Sequence, residues 1–206
     1  MRYLFPPRPK SKTTLNDLPL FEKMGNWVVQ RKFNGTRNLI FVDSCGVVQF
    51  FNRYGRKHTR YQPSKELISA ISLLNLDRGK DYILDGELMN RQKNASEMIV
   101  LYDVLMCGRY LFSHPDQDER LKILRNICGN PTIKNDLGFV VAEQLTLAEH
   151  WERDFVAHFQ DTISHEKLEG LVLRKKNVGL DNLGYSEYET NSLIRCRKPI
   201  DKGYNF

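Results

Sequence analysis

The sequence predicts an α+β domain built mainly from antiparallel sheets with flanking helices. Three observations point to it. Strand-like apolar runs and helix-like periodic segments alternate irregularly along the 206 residues, without the strict order of a parallel α/β fold. The early strands follow one another at short intervals across turn residues, the pattern of an antiparallel meander. Finally, 41% of the residues are hydrophobic, enough for a core in a chain of the size one domain commonly has.

Taken in order, residues 6–14 (PPRPKSKTT) are proline-rich and basic and read as an extended lead-in, part of an N-terminal arm over residues 1–20. The main domain is expected over 21–206. Strands are expected at 26–31 around Trp27, Val28 and Val29, at 38–43 around Leu39 to Val42, and at 47–51 after the turn Ser44-Cys45-Gly46. Residues 65–76 place Leu67, Ile68, Ile71 and Leu74 on one helical face. Further strands are expected at 82–88 and 98–106, and a helix at 118–128 with Leu121, Leu124 and Ile127 inward. A strand at 138–143 follows. Leu147, Trp151, Phe155 and Phe159 recur every four residues and predict another amphipathic helix. The last strands are expected at 170–173 and 192–197.

Composition excludes several classes. A mean hydropathy of −0.49 with a regular apolar pattern is neither a disordered tail nor a fibre. No apolar run approaches the ~20 residues of a membrane span, so no membrane partner is expected. The N-terminus has no apolar signal region, so the chain is expected to be cytoplasmic, or nuclear in a eukaryote, and not secreted. Cys45, Cys107, Cys128 and Cys196 are widely spaced, which supports neither a zinc site nor a disulfide framework. The formal charge of +6 and a pI near 9.1 suit a phosphate-bearing partner without specifying one.

Four stretches could carry chemistry, and each has a plainer reading. Gln30-Arg31-Lys32-Phe33-Asn34-Gly35-Thr36-Arg37 sets a lysine between two strands. A lysine is nucleophilic only when neutral, which costs about 4.6 kcal/mol at pH 7 from a pKa of ~10.4. Neighbouring cations lower that cost. By itself the string reads more simply as a basic surface hairpin. Asp85-Gly86-Glu87 ends an apolar strand in two carboxylates that could hold a ribose or a metal ion, or merely form a turn. Glu169 opens a strand that runs into Arg174, Lys175 and Lys176. Arg195 and Arg197 alternate and share one face of a strand, where two guanidiniums can grip phosphate oxygens. Arg53 after the third strand and Tyr102 in an apolar strand complete the set; a tyrosine there can stack on a base or simply sit in the sheet.

The order of these pieces is more specific than any one of them. Lys-x-Asn-Gly-x-Arg, Arg53-Tyr54-Gly55, Asp85-Gly86-Glu87, Tyr102-Asp103, Glu169-Gly170-Leu171-Val172 and the basic strand at 195–197 together resemble the covalent nucleotidyltransferase superfamily. That superfamily comprises ATP-dependent DNA ligases, RNA ligases and mRNA capping guanylyltransferases. Its first motif is K-x-D-G-x-R; here Asn34 replaces the aspartate, and arginines stand at 195 and 197 where two lysines are usual. The run from Tyr102 to Leu111 followed by Glu119-Arg120-Leu121 is most similar to the DNA-ligase branch.

The resemblance implies a nucleotidyltransferase (adenylation) domain using ATP and Mg²⁺ or Mn²⁺, with Lys32 as the nucleophile that becomes lysyl-AMP. It implies contacts to the nucleotide from Gln30, Arg31, Arg37, Arg53, Glu87, Tyr102, Arg195 and Arg197, and metal binding by Glu169 and Glu87. The implied partner is nucleic acid, foremost a nicked DNA duplex. An RNA ligase, a GTP-dependent capping enzyme, and a nucleic-acid-binding module that kept the fold remain open beside it. Only nine residues follow Arg197, too few for the OB-fold that usually comes next. A truncated chain, an OB-fold partner acting in trans and a minimal enzyme are the three readings of that.

Overall fold

A computed structural model describes residues 3–58, 61–89, 97–109, 111, 115–180, 184 and 186–199. Among them, two sheets divide the chain. The smaller holds β1 (Arg8–Thr13), β2 (Trp27–Phe33), β10 (His150–Trp151), β11 (Leu168–Lys175) and β12 (Glu189–Arg197), in the order β1-β12-β11-β2-β10. The larger holds β3 (Thr36–Val42), β4 (Val48–Asn52), β5 (Tyr82–Leu88), β6 (Ile99–Cys107), β7 (Lys134–Asn135), β8 (Gly138–Ala142) and β9 (Leu145–Ala148), in the order β4-β3-β5-β6-β9-β8-β7. Only β1 with β12 and β6 with β9 pair in parallel among these strands. The expected α+β class with mainly antiparallel sheets is the fold observed.

Each sheet has its own core. Ile40, Leu84 and Leu101 on the larger sheet pack against Leu67 and Ile71 of α2 (Lys65–Ser72) and Leu124 of α3 (Gln117–Ile127), all buried. Val29, Leu171 and Leu173 on the smaller sheet pack against Phe155 and Phe159 of α4 (Phe155–Ile163) and Leu18 of α1 (Leu18–Lys23). Caps fix the helix starts. Ser64 Oγ accepts from the Leu67 amide at 3.1 Å, Asp116 and Glu119 form a reciprocal box on α3, and Glu22 accepts from the amides of Asp154 and Phe155 at 3.0 Å each.

Two expectations change. The helix expected from Leu147 begins only at Phe155; Leu147 lies in β9 and Trp151 in β10. The spacing of four arises by coincidence, because Leu147 faces the core of the larger sheet while Trp151, Phe155 and Phe159 face that of the smaller one. Asp154, at φ 59°, turns the chain between them. Secondly, β1 lies within the residues read as an arm, and it adds a strand to the smaller sheet beside β12.

Candidate nucleotide site

Residues 34 and 35 alone separate β2 from β3, so consecutive strands enter different sheets. At this junction the backbones nearly touch. A side chain on Gly35 would meet the Leu88 carbonyl oxygen at 2.4 Å and Glu87 Cγ at 2.7 Å, so only glycine fits. A cleft of about 430 Å³ opens there, lined by both sheets and by the chain leading into β1. That volume is in the usual range for a small-molecule site.

Strand register builds its first wall. Lys32 pairs with Gly170, and Gly170 with Arg197; one step on, Gln30 pairs with Val172 and Val172 with Arg195. Alternation then turns Lys32, Gln30, Arg195 and Arg197 to one face. Gly170 lies at φ +130°, and a Cβ there would stand 2.1 Å from the Cys196 carbonyl oxygen. The middle strand thus has no side chain between Lys32 and Arg197. Lys32 Nζ donates to Glu169 Oε2 at 2.6 Å, and Arg197 Nη2 lies 3.3 Å from the same oxygen.

The larger sheet supplies the facing wall. Arg37 on β3 pairs in register with Glu87 on β5. Its guanidinium makes a two-pronged ion pair with Asp85, with Nε to Oδ1 at 2.9 Å, and donates from Nη1 to the Pro7 carbonyl at 2.9 Å. Burial works against the charge on Arg37, but Asp85 together with Tyr102 and Glu87 outweighs it and holds the pKa above the usual arginine range. Burial pushes the Glu87 carboxyl up to about 7, against the pull of Lys32 and Arg37. Burial also keeps the Tyr102 hydroxyl well above its ordinary range, so the ring is neutral. Gln30, 1% exposed, donates Nε2 to the Tyr102 carbonyl at 3.4 Å and leaves Oε1 buried with no partner. Arg195 leaves its buried Nε likewise unpaired.

All ten residues to which the resemblance gives a role line this one cleft. Arg31 differs from the rest in how it is held. Its guanidinium donates to Asp161 Oδ2 at 2.8 Å and to the Asp136 carbonyl at 3.0 Å, and it lies 5.2 Å from the Trp151 ring centre. Those contacts tie β2 to its surroundings. Sequence reasoning named Arg174 only within a basic run and passed over the approach to β1, Phe5 to Pro9; both line the cleft too. The basic run after Glu169 signalled Arg174; nothing in the proline-rich stretch signalled a wall.

For a metal ion, Glu87 and Glu169 offer hard oxygen donors. Among the described residues no three His, Cys, Asp or Glu side chains gather closely enough to hold one unaided. The pair fits an ion such as Mg²⁺ that takes one or two carboxylates and completes its shell with phosphate oxygens and water.

Comparison with known proteins agrees with this architecture. Residues 12–99 match the family described as ATP dependent DNA ligase domain. No curated protein matches the chain significantly. Among solved structures, Pmar-Lig_Pre aligns with 95% of this chain and 47% of its own at 15% identity and a TM-score of 0.66. The ligase domain of M. tuberculosis LigD aligns over 82% of this chain and 52% of its own, at 20% identity and a TM-score of 0.57. The ATP-dependent DNA ligase from bacteriophage T7, in complex with ATP, aligns over 94% and 68%, at 12% identity and a TM-score of 0.56. The chain spans about half the length of the first two. Its fold is that of these ligase structures, and over residues 12–99 the likeness extends to sequence. No helix among the described residues is long and apolar enough to cross a membrane.

Proposed function

We propose that this chain is the nucleotide-transferring part of an ATP-dependent DNA ligase and that Lys32 carries the nucleotide. The observation that supports this most is the row Lys32–Gly170–Arg197. It sets an amine beside a carboxylate and an arginine in a cleft of nucleotide size. Phosphoryl transfer needs alignment and charge neutralisation, and this wall provides both.

The Lys32 ammonium gives one proton to Glu169 Oε2, and the free amine attacks the α-phosphorus of ATP. The N–P bond forms as the bond from the α-phosphorus to the bridging oxygen breaks. Pyrophosphate leaves, and the new phosphoramidate nitrogen sheds a second proton. Arg195 and Arg197 stabilise the charge on the α-phosphate oxygens. Arg53 adds a further cation at the cleft, Arg37 and Glu87 hold the ribose, and Tyr102 stacks on the base. Mg²⁺ or Mn²⁺ bound with ATP at Glu169 and Glu87 would neutralise charge on the phosphates. Gln30 reads the base: an unpaired Oε1 accepts from the 6-amino group of adenine and repels the 6-oxygen of guanine. A 5′-phosphate oxygen then attacks the lysyl-AMP phosphorus; the N–P bond breaks, and the lysine nitrogen takes up a proton to become the amine again. A 3′-hydroxyl displaces AMP and seals a nick of the kind DNA replication and repair leave. An OB-fold module, in the same protein or in trans, would complete the grip on the duplex.

Labelling tests this directly. With α-labelled ATP and Mg²⁺, the chain retains label through a denaturing gel, and Lys32→Ala retains none. Label from GTP alone would make it a capping enzyme, and RNA joining without DNA sealing an RNA ligase. DNA binding with no label from either nucleotide would leave a binding module.

A further inference from the structure

Arg174 forms part of two walls. One faces the nucleotide cleft; the other bounds a separate, smaller cavity of about 40 Å³. Asp103, Gln117, Arg120 and Arg174 line this second space, and all four are buried. Arg120 donates from Nε to Asp103 Oδ1 at 3.0 Å, and Arg174 from Nη1 to Asp103 Oδ2 at 2.8 Å. Gln117 Oε1 accepts from Arg120 Nη2 at 2.7 Å and from Arg174 Nη1 at 3.4 Å. Two guanidiniums therefore share one carboxylate. Lys175 lines the cavity too, and no other acid among the described residues does, so the lining carries more positive than negative charge.

Two buried donors there are also unused, Arg174 Nε and Gln117 Nε2. Because Gln117 spends its oxygen on the arginines, its amide hydrogens are free for something else. Gln117 is the first residue of α3, an 11-residue helix whose N-terminal dipole is offset by Asp116, Asp118 and Glu119 at the same end. The cavity exceeds the ~10–15 Å³ that one water requires. Water could satisfy the donors, but it cannot balance a buried charge, which is costly to leave alone. Arg120 spends Nη1 on the Pro115 and Val178 carbonyls and Nη2 on Gln117 and Asp103, so the donors open to an oxyanion are Arg174 Nε and Gln117 Nε2; a guanidinium N–H beside an amide N–H suits phosphate oxygens.

We propose that the cavity between Asp103, Gln117, Arg120 and Arg174 binds a phosphate-class oxyanion, separately from the nucleotide cleft. The site stands whether or not Lys32 carries a nucleotide. Inorganic phosphate and a strand phosphate share this chemistry, so both are tried.

The test is Gln117→Glu. Gln117 does not line the nucleotide cleft. Glutamate would still accept from both arginines while adding one negative charge to the cavity and removing the amide donor. Thermal unfolding is followed in phosphate, or with a short oligonucleotide, against chloride at equal ionic strength. The unaltered chain should gain several degrees in phosphate, and the variant should melt higher in chloride yet lose most of that gain. Loss of the oligonucleotide gain alone would assign the site to a strand phosphate. Equal gains in both proteins, or no gain in the unaltered chain, would overturn the proposal. If the variant fails to unfold cooperatively, crystals of the unaltered chain soaked in tungstate decide: anomalous density in the cavity upholds the site, and its absence refutes it.

Discussion

At the scale of single residues, Glu87 sits where the energetics of the cleft are most exposed to pH. Its folded pKa is raised toward 7 by burial, while an unfolded glutamate titrates near ~4.3. Protonation thus favours the folded chain. That contribution is complete below the unfolded pKa and is lost as pH rises through the folded one. Glu87→Gln keeps the uncharged form at every pH. The variant should melt above the unaltered chain at pH 8 and match it near pH 4, which unfolding curves across that range would check; parallel curves would remove burial as the dominant influence. Residue identities in the cleft were legible in the sequence because short motifs keep their spacing within a strand. The partners of those residues were not. Arg37 is held by Asp85 and by the Pro7 carbonyl, 48 and 30 residues away in sequence. Such pairings follow from sheet register, which a linear pattern does not carry.

At the scale of elements, strands with dense apolar runs announced themselves, and β5 lies at the residues expected, 82–88. Elements made by pairing alone did not. β1 has no apolar run and β10 is two residues long; each exists because a neighbouring strand offers its edge. Where strands approach closely, glycine becomes obligatory. Gly170→Ala would force a Cβ against the Cys196 carbonyl at a strained φ of +130°. The strain alone costs about 1–3 kcal/mol, and the overlap adds to it by separating β11 from β12. Urea unfolding should show a loss of at least that size; a smaller one would mean that the two strands part without cost.

At the scale of the whole molecule, the ion pairs differ widely in what they contribute. Asp103 links α3 to β11 through two buried arginines 17 and 71 residues distant. Asp103→Ala would strand both cations and should destabilise the chain by about 3–5 kcal/mol. The exposed pair of Lys80 and Asp77 should cost far less when Asp77 is removed, because solvent screens it. Equal losses in urea titrations of the two variants would show that Asp103 does not join the layers. The join that matters most to the cleft, however, is covalent: residues 34 and 35 cross from one sheet to the other with nothing to spare. One added amino acid there would throw both hydrogen-bonding ladders out of phase, and with them the lysine and the arginine at either end. Grafts, tags and natural length variation therefore belong in the outer loops, since this crossing has no slack to absorb them.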